Sequence, residues 1–312
     1  MTKQWIGDYL LPPGIEIFER GWLSANTIFM YGDEDVSLVD SGYCAHQQLT
    51  VDLVANALQQ QGLKTLHKII NTHLHSDHCG GNAALSDTFH PEIWIPASEA
   101  QAVLDWNVDL LSYQQLGQVC PRFTYQELLV PGQEILLGRY LWQILAAPGH
   151  DHHAIMLYQA DHQILISGDA LWEDGFGAIF PELWGEGGFT EVGQTIDLIE
   201  ELPIALVIPG HGKPFTEVKQ AIASAKSRLD YLASEPDRNA RHGAKVLLKF
   251  KLLEWRSMDM LSVDQWIAQT PILNQMRGQL QMSMEDFQKW LPHALVKSNA
   301  AKIEQGYLLN LD

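Results

Sequence analysis

The chain has 312 residues, of which 46% are hydrophobic and 19% charged, and its formal net charge is −18. This composition is typical of a soluble globular protein and excludes a disordered or fibrous chain. No window is apolar over the length needed to span a bilayer, so no membrane partner is predicted.

The start of the chain lacks a long apolar region and a small-residue cleavage site, so no signal peptide is predicted. Cys44, Cys79 and Cys120 show no pairing pattern, which favours a reducing, cytoplasmic setting.

The charge is unevenly distributed along the chain. Residues 1–212 carry 6 Lys and Arg against 27 Asp and Glu, a balance of −21. Residues 213–312 carry 14 against 11, a balance of +3. An acidic surface repels polyanions, which disfavours a nucleic-acid substrate and favours a small molecule.

Short strands alternate with helices over the first two thirds of the chain. Residues 26–42 predict a hairpin around a Gly-Asp-Glu-Asp turn, and residues 46–62 predict a helix that a glycine ends. The other predicted elements are a helix over 191–202 and strands over 66–73, 91–98, 140–150, 153–160, 163–170 and 205–212. Interleaved strands and helices indicate a layered α/β domain.

The pattern becomes helical after Pro214. Helices are predicted over 218–235, 244–258, 262–269 and 283–295, and the last 11 residues predict a small β-wing. We therefore predict a catalytic domain over residues 1–213 and a mostly helical domain over residues 214–312.

The stretch NTHLHSDHCGG, residues 71–81, places His73, His75, Asp77 and His78 within six positions. At a strand end His73 and His75 can point the same way, while Asp77 and His78 fall where the chain turns toward a helix. Two glycines then allow a tight turn. The spacing can serve two metal centres, whose charge offsets the crowding of ligand groups.

Further ligands are expected where other strands end, because each zinc ion needs three or four. His150 follows a Pro-Gly turn, Asp169 follows Ser-Gly, and His211 lies between glycines. Taken singly, Asp169 could cap a helix and His211 could bond to a turn. Their joint occurrence with the first cluster predicts a metal site.

Three other polar residues have two interpretations each. Asp40, in the sequence LVDSG, could orient a ligand histidine or simply form a turn. His152 and His153 could contact substrate and donate a proton, or be structural.

Nearby apolar residues are also ambiguous. Cys79 is expected to serve in packing. Four aromatic residues could line an apolar pocket, although such spacing is more often core packing: Trp172, Phe176, Phe180 and Trp184.

Across residues 20–215 the pattern resembles the metallo-β-lactamase-fold hydrolases, whose signature is H-x-H-x-D-H followed by separate His, Asp and His residues. The resemblance implies a four-layer αβ/βα sandwich with metals at one edge. Asp40 also matches the family. His75, standing where the di-iron flavoprotein branch has Glu, favours a hydrolytic member.

The resemblance also implies a ligand set. Residues that match His73, His75 and His150 hold the first metal in this family. Those that match Asp77, His78 and His211 hold the second, and the match to Asp169 bridges the two. Two Zn²⁺ ions are expected, and iron and manganese also suit these ligands.

Two regions depart from the family or match it loosely. Many relatives have Thr-x-Gly after the residue matching His150, where this chain has HDHHAIML. Residues 168–182 are loosely similar to glyoxalase II thioesterases. The tail resembles the winged-helix-like additions of the lactamase-beta-2-like hydrolases in pattern only.

Two cations sharing one water would lower its pKa far below that of bulk water, to about 7. Asp77 would then orient the resulting hydroxide, and the metals would stabilise the oxyanion. We therefore predict hydrolysis of an ester-like bond in a small molecule: a thioester, a lactone or another acyl ester.

Two alternatives remain. A mononuclear iron persulfide dioxygenase would use nearly the same ligands. The basic stretch 238–256 could instead bind nucleic acid, as a phosphodiesterase or binding protein. The opposing interpretation makes Lys245, Lys249 and Lys251 a solvated face, with the apolar residues packed on the catalytic domain or on a second subunit in a homodimer.

Overall fold

The computed structural model of the protein describes residues 4–33 and 35–311, with only the backbone of Pro236. Glu34, in the predicted hairpin turn, and Asp312, in the predicted wing, lie outside the described residues. The strands are β1 Trp5–Ile6, β2 Tyr9–Leu10, β3 Ile15–Phe18, β4 Thr27–Tyr31, β5 Val36–Val39, β6 Lys68–Ile70, β7 Glu92–Pro96, β8 Glu127–Leu129, β9 Glu134–Leu137, β10 Tyr140–Ala146, β11 Ile155–Gln159, β12 Ile164–Gly168, β13 Leu206–Pro209, β14 Ser257–Asp259, β15 Ala301–Glu304 and β16 Tyr307–Asn310.

The α-helices follow the same chain order. They are α1 Gln47–Gln60, α2 Ser76–Cys79, α3 Asn82–Phe89, α4 Ala100–Asp105, α5 Phe180–Trp184, α6 Phe189–Glu201, α7 Val218–Ala233, α8 Pro236–Trp255, α9 Met260–Gln269, α10 Pro271–Gln279 and α11 Met284–Lys297.

Two sheets face each other across an apolar core. One has the order β3-β4-β5-β6-β7-β8 and the other β13-β12-β11-β10-β9. Met30 and Ile70 from the first sheet share one core cluster with Trp142, Ile166 and Ile208 from the second. Strands β5, β11, β12 and β13 are buried along their whole length, as expected for strands covered on both faces.

Helices cover the outer face of each sheet. Val54 of α1 and Leu85 of α3 pack on the six-stranded sheet. Ile196 of α6 and Ala225 of α7 pack on the five-stranded sheet. The predicted four-layer αβ/βα sandwich is therefore confirmed.

Strand direction brings distant segments to one edge of this sandwich. Strand β5 is parallel to β6, and β12 is parallel to β13. Strand β11 is antiparallel to both β10 and β12, so β10 runs in the same direction as β12. The segments that follow these strands can therefore meet, since each leaves its sheet at a carboxyl end.

The C-terminal helices α8 to α11 form a further apolar core with strands β14 to β16, and Phe180 and Leu183 of α5 also pack in it. The predicted wing is part of a three-stranded sheet of order β14-β16-β15. Helix α7 packs with the sandwich rather than with this core. The domain boundary at residue 214 stays a prediction.

Several helices differ from the sequence-based expectation. The helix predicted over 244–258 begins earlier, at Pro236, because proline suits the first turn of a helix. Helices α5 and α10, each with proline at its start, were not predicted.

The predicted solvated lysine face is wrong for two of its three residues. Lys251 is only 6% exposed, and its amino group pairs with Glu254 at 2.7 Å. The amino group of Lys249 donates to the carbonyl oxygens of Ala300 and Leu311. Lys249 thus holds the end of the chain against α8, Lys251 pairs within its own helix, and Leu247, Leu248 and Leu252 pack in the C-terminal core. No helix in residues 4–33 and 35–311 is both long and apolar enough to cross a bilayer.

Trp142 tests the core between the sheets, because it is fully buried there. We expect Trp142→Ala to lower the free energy of unfolding by about 3–5 kcal/mol, through lost contacts and a cavity. Leu141→Ala is the matched control, since Leu141 is 49% exposed on the same strand. Urea denaturation followed by circular dichroism measures both, and equal losses would contradict this account of the core.

His242 on α8 tests the contact with α7. It accepts a hydrogen bond from Arg228 at 2.7 Å, and burial, Arg228 and Lys245 lower its pKa to about 3. As the pH falls, His242 of the unfolded chain therefore takes up a proton before His242 of the folded chain does. The free energy of unfolding consequently decreases as the pH falls from about 6.5 toward 3. His242→Gln keeps a hydrogen-bond acceptor that does not titrate. Over this pH range its free energy of unfolding should therefore decrease less than that of the wild type, by up to about 1.4 kcal/mol per pH unit.

His293→Gln, at an exposed position on α11, serves as the control for this measurement. It should reproduce the wild-type dependence of stability on pH. If the His242→Gln profile also coincided with the wild type, the buried neutral histidine would be excluded.

Candidate metal centre

The first ligand cluster lies where β6 leaves the sheet. The chain passes from Ile70 through His73 and His75 into the short helix α2, which carries Asp77 and His78. His73 and His78 are fully buried, and His75 is 5% exposed. Gly80 and Gly81 pack directly against the backbone of residues 41–44, where a Cβ atom would collide. The motif is thus held tightly against the end of β5.

His73, His75 and His150 form one group. The Nε2 atom of His73 lies 3.0 Å from Nδ1 of His75, which lies 2.8 Å from Nε2 of His150. His150 reaches this position from the end of β10, 75 residues along the chain from His75.

Asp77, His78 and His211 form a second group. The Nε2 atom of His211, which follows β13, lies 3.1 Å from Oδ2 of Asp77. The potential ligand atoms in each of the two groups lie within 4.8 Å of one another.

Asp169 lies between the two groups. One of its oxygens is 3.4 Å from Nε2 of His78, and the other is 3.4 Å from Nε2 of His150. It follows β12, where Gly168 adopts a left-handed backbone. All seven residues predicted to hold metal are therefore brought together, although a metal-binding role for each remains a proposal.

Asp40 orients the second group. Its carboxylate accepts hydrogen bonds from the Thr72 amide at 2.9 Å, the Thr72 hydroxyl at 2.8 Å and Nδ1 of His78 at 2.7 Å. Asp40 itself has a left-handed backbone, with φ of 55°. Of its two interpretations, the structure therefore favours the one in which Asp40 orients a histidine.

Hydrogen bonds at Nδ1 leave several Nε2 lone pairs pointing inward. His78 donates from Nδ1 to Asp40, and His150 donates from Nδ1 to the carbonyl of Ala178. The Thr72 hydroxyl donates to Asp40, so it can accept from Nδ1 of His73 at 3.2 Å. A neutral imidazole has one N–H, so neutral His73 and His150 present bare Nε2 atoms, and His78 does so when it is neutral.

This arrangement suits cations. Nδ1 of His75 has a bare nitrogen on each side and can donate to only one of them. Within the described part of the chain, Nε2 of His78 and Nδ1 of His211 are buried without a hydrogen-bond partner. Buried polar atoms are seldom left unpaired, whereas converging imidazole and carboxylate lone pairs form the ligand set of zinc or iron. The residues thus supply the donor atoms that a bound metal ion requires.

The charges of the site agree with this assignment. Burial lowers the pKa of His73 well below its ordinary value and that of His75 to about 4, so both rings are neutral. Burial raises the pKa of Asp77, but His211 and His78 outweigh it and hold this pKa below its usual value.

Asp169 and His78 are balanced in the same way. Burial opposes ionisation of Asp169, but His211 and His78 lower its pKa well below the usual value. Burial lowers the pKa of His78, but Asp40 and Asp169 together raise it well above the ordinary value. The two carboxylates are therefore charged, and they favour a cation beside them.

Two glycines allow the ligand loops to approach closely. A Cβ atom at Gly177 would collide with the ring of His150, and one at Gly210 would collide with Asp169 and His78. The strand-end glycines therefore serve the site by their small size.

A cavity of about 90 Å³ opens over these groups. His75, Asp77, His150, Asp169 and His211 form its floor. The residues that complete it are Trp22, Leu116, Gln118, Trp172, Ala178, Phe180, Val246, Leu247 and Phe250.

Other predicted site residues have mixed outcomes. Trp172 and Phe180 line the cavity, whereas Phe176 is buried beneath α7. Trp184 lines a neighbouring cleft with His152 and His153, and His152 lies 3.5 Å from Glu186.

Cys79 is buried, as its predicted packing role requires. Its sulfur contacts the Tyr113 hydroxyl at 3.2 Å and the Cys120 sulfur at 3.8 Å.

Several cavity residues were not predicted. Trp22 is 56% exposed and stacks on His211, with ring centroids 5.6 Å apart. Val246, Leu247 and Phe250 come from α8, which was expected to pack or, in the alternative, to bind nucleic acid. Their helical spacing was visible in the sequence, but nothing in it indicated which partner the helix faces.

A family model described as the metallo-beta-lactamase superfamily matches residues 20–211. A protein of Bacillus subtilis described as a probable metallo-hydrolase is 25% identical over 199 residues, covering 64% of this chain and 89% of that protein. A hydroxyacylglutathione hydrolase of Gloeobacter violaceus is 31% identical over 150 residues, which span 48% of this chain and half of its relative's length.

A solved structure shows the same fold over nearly the whole chain. A metallo-beta-lactamase family protein from Thermus thermophilus superposes with a TM-score of 0.58. The match covers 96% of this chain and 99% of that one, at 16% identity. The family match spans the strand ends that supply all seven candidate ligands, and the chain therefore belongs to the metallo-beta-lactamase superfamily.

Proposed function

We propose that the protein is a metal-dependent hydrolase that uses two metal ions, most simply Zn²⁺, to cleave an ester-like bond in a small molecule. The bond would be a thioester, a lactone or another acyl ester. The observation that carries the proposal is the pair of ligand groups meeting at Asp169, which has one oxygen toward each group.

His73, His75 and His150 would hold the first ion, and Asp77, His78 and His211 the second, with Asp169 between them. When bound, such ions supply an activated water and stabilise negative charge on the oxygen of the substrate.

Asp77 is the group that we assign to catalysis. It lines the cavity, and its side chain is 13% exposed. His211 and His78 keep its pKa below the usual value, so at neutral pH its carboxylate is free to accept a hydrogen bond from water. Asp77 would thereby orient the attacking water toward the carbonyl carbon.

The apolar residues of the cavity would exclude bulk water. Phe180 and Trp172 contact the rings of His150 and His211 from the side. Since hydrogen bonds and charges act more strongly where solvent is excluded, this packing favours attack by one ordered water.

The function is tested by supplying purified protein with zinc and a thioester, a lactone, a simple acyl ester and a phosphodiester. We expect turnover of one of the three acyl classes and none of the phosphodiester. Asp77→Asn should lower kcat by about 10²-fold or more while the fold is kept, because a carboxylate that positions the water is lost. Asp52→Asn, at an exposed position on α1, is the matched control.

Metal analysis separates the alternatives. Two zinc ions per chain would agree with the proposal. One iron per chain, with oxygen consumption on a persulfide and no ester hydrolysis, would replace it with the dioxygenase.

Asp40→Asn tests how the site is oriented. The Asn side chain has one oxygen where the carboxylate has two. His78 would therefore lose its hydrogen-bond acceptor, and the hydrogen bonds of Thr72 would be rearranged. We expect zinc affinity to fall about 10- to 100-fold, as for other residues that orient metal-binding histidines. Competition with a chelating dye measures this. An unchanged affinity would show that Asp40 serves only the turn.

A further inference from the structure

The cavity has an apolar wall beside its ligand floor. Val246 and Phe250 lie four positions apart on α8 and so share one helix face, and Leu247 lies beside them. Leu116 and Phe180 complete the wall from two other segments. Phe250 is held in place by Tyr43, with ring centroids 5.1 Å apart. A bound group facing this wall meets hydrocarbon.

The wall carries no positive charge. None of the described residues that line the cavity is Lys or Arg. Two lysines of α8 are paired outside the cavity: Lys249 bonds to the end of the chain and Lys251 pairs with Glu254, while Lys245 is not among the lining residues. An anionic group entering beside Phe250 would lose its water without gaining a counter-ion, which is costly.

Gln118 supplies a neutral donor instead. Ser76 of α2 donates from its hydroxyl to Oε1 of Gln118 at 2.6 Å. This bond orients the amide and leaves its NH₂ group as the part that can donate into the cavity. An amide donor suits an uncharged ester or ketone oxygen.

The cavity is also small. Its volume is about 90 Å³, well below the range of roughly 300–1,000 Å³ of sites for drug-sized ligands. Only a short chain fits between the floor and the wall.

From these observations we propose that the cavity selects a short, uncharged, apolar acyl group and rejects acyl groups that carry a carboxylate. The inference rests on the proposed ester hydrolysis and names its substrate class. Val246, Leu247 and Phe250 are the residues that determine this specificity, and Gln118 positions the substrate oxygen.

The test compares 4-nitrophenyl butyrate with 4-nitrophenyl hemisuccinate, whose acyl chains have equal length but differ by one carboxylate. We expect kcat/KM for the butyrate to be higher by roughly ten-fold or more, given the cost of burying an unpaired charge. Equal values would overturn the inference and leave ester hydrolysis standing.

Variants place a cation in the wall. Val246→Lys should raise kcat/KM for the hemisuccinate relative to the butyrate by roughly ten-fold. Gln118→Lys, at a half-buried position, places a cation in the cavity from another segment and is used if Val246→Lys does not fold. Leu261→Lys, 66% exposed on α9, adds the same charge outside the cavity and should not change the ratio. If that control shifted the ratio as strongly, the effect would be one of overall charge and the wall would be excluded.

Binding provides a readout that does not require turnover. The ketones 2-hexanone and levulinate are similar in size, and only levulinate carries a carboxylate; Trp22 and Trp172 in the cavity should report their binding by fluorescence. Tighter binding of 2-hexanone supports the inference even if neither ester is hydrolysed, an outcome that would reject only the proposed function. Equal or tighter binding of levulinate would overturn the inference.

Discussion

The structure depends on one electrostatic constraint: imidazole lone pairs that converge at a buried edge must be held there without protons between them. Hydrogen bonds on the outer nitrogens meet this constraint. The carboxylate of Asp40 accepts a hydrogen bond from Nδ1 of His78, and the carbonyl of Ala178 accepts one from Nδ1 of His150. The inner nitrogens are then left to face Asp169 and the cavity. These are the atoms that the proposed metal ions would use.

The two-sheet architecture meets this constraint because its strands end together. Asp40, His73, His150, Asp169 and His211 follow five strands that run toward one edge. Small residues then let the loops close on each other, as where Gly210 leaves no space beside Asp169 and His78. A rigid, doubly covered sandwich thus positions groups that are up to 171 positions apart in the sequence, from Asp40 to His211.

The C-terminal helices connect stability with specificity. Leu247 of α8 belongs both to the C-terminal apolar core and to the wall of the cavity. A change in the packing of these helices would therefore alter the shape of the wall as well as the stability of the chain. The ligand floor belongs to the sandwich, whereas the wall combines residues of α8 with Leu116 and Phe180 from two other segments.

Much of this could be predicted from the sequence because the information is local. The hairpin of β4 and β5, the helix α1 and the ligands at strand ends follow from periodicity, turn residues and motif spacing. The start of α8 at Pro236 and the short helices α5 and α10 were not predicted. A proline in a sequence can either interrupt a helix or occupy its first turn, and the sequence does not show which.

Only the tertiary structure decided which residues contact each other and which line the cavity. Lys251 has the sequence signature of a solvated residue, yet it is buried beside Glu254. Trp22 and Phe250 have no motif, yet both line the cavity. Periodicity shows that a helix or strand has an apolar face but not which partner covers it. The sequence by itself thus determined which residues are the candidate ligands, whereas long-range packing determined the walls around them.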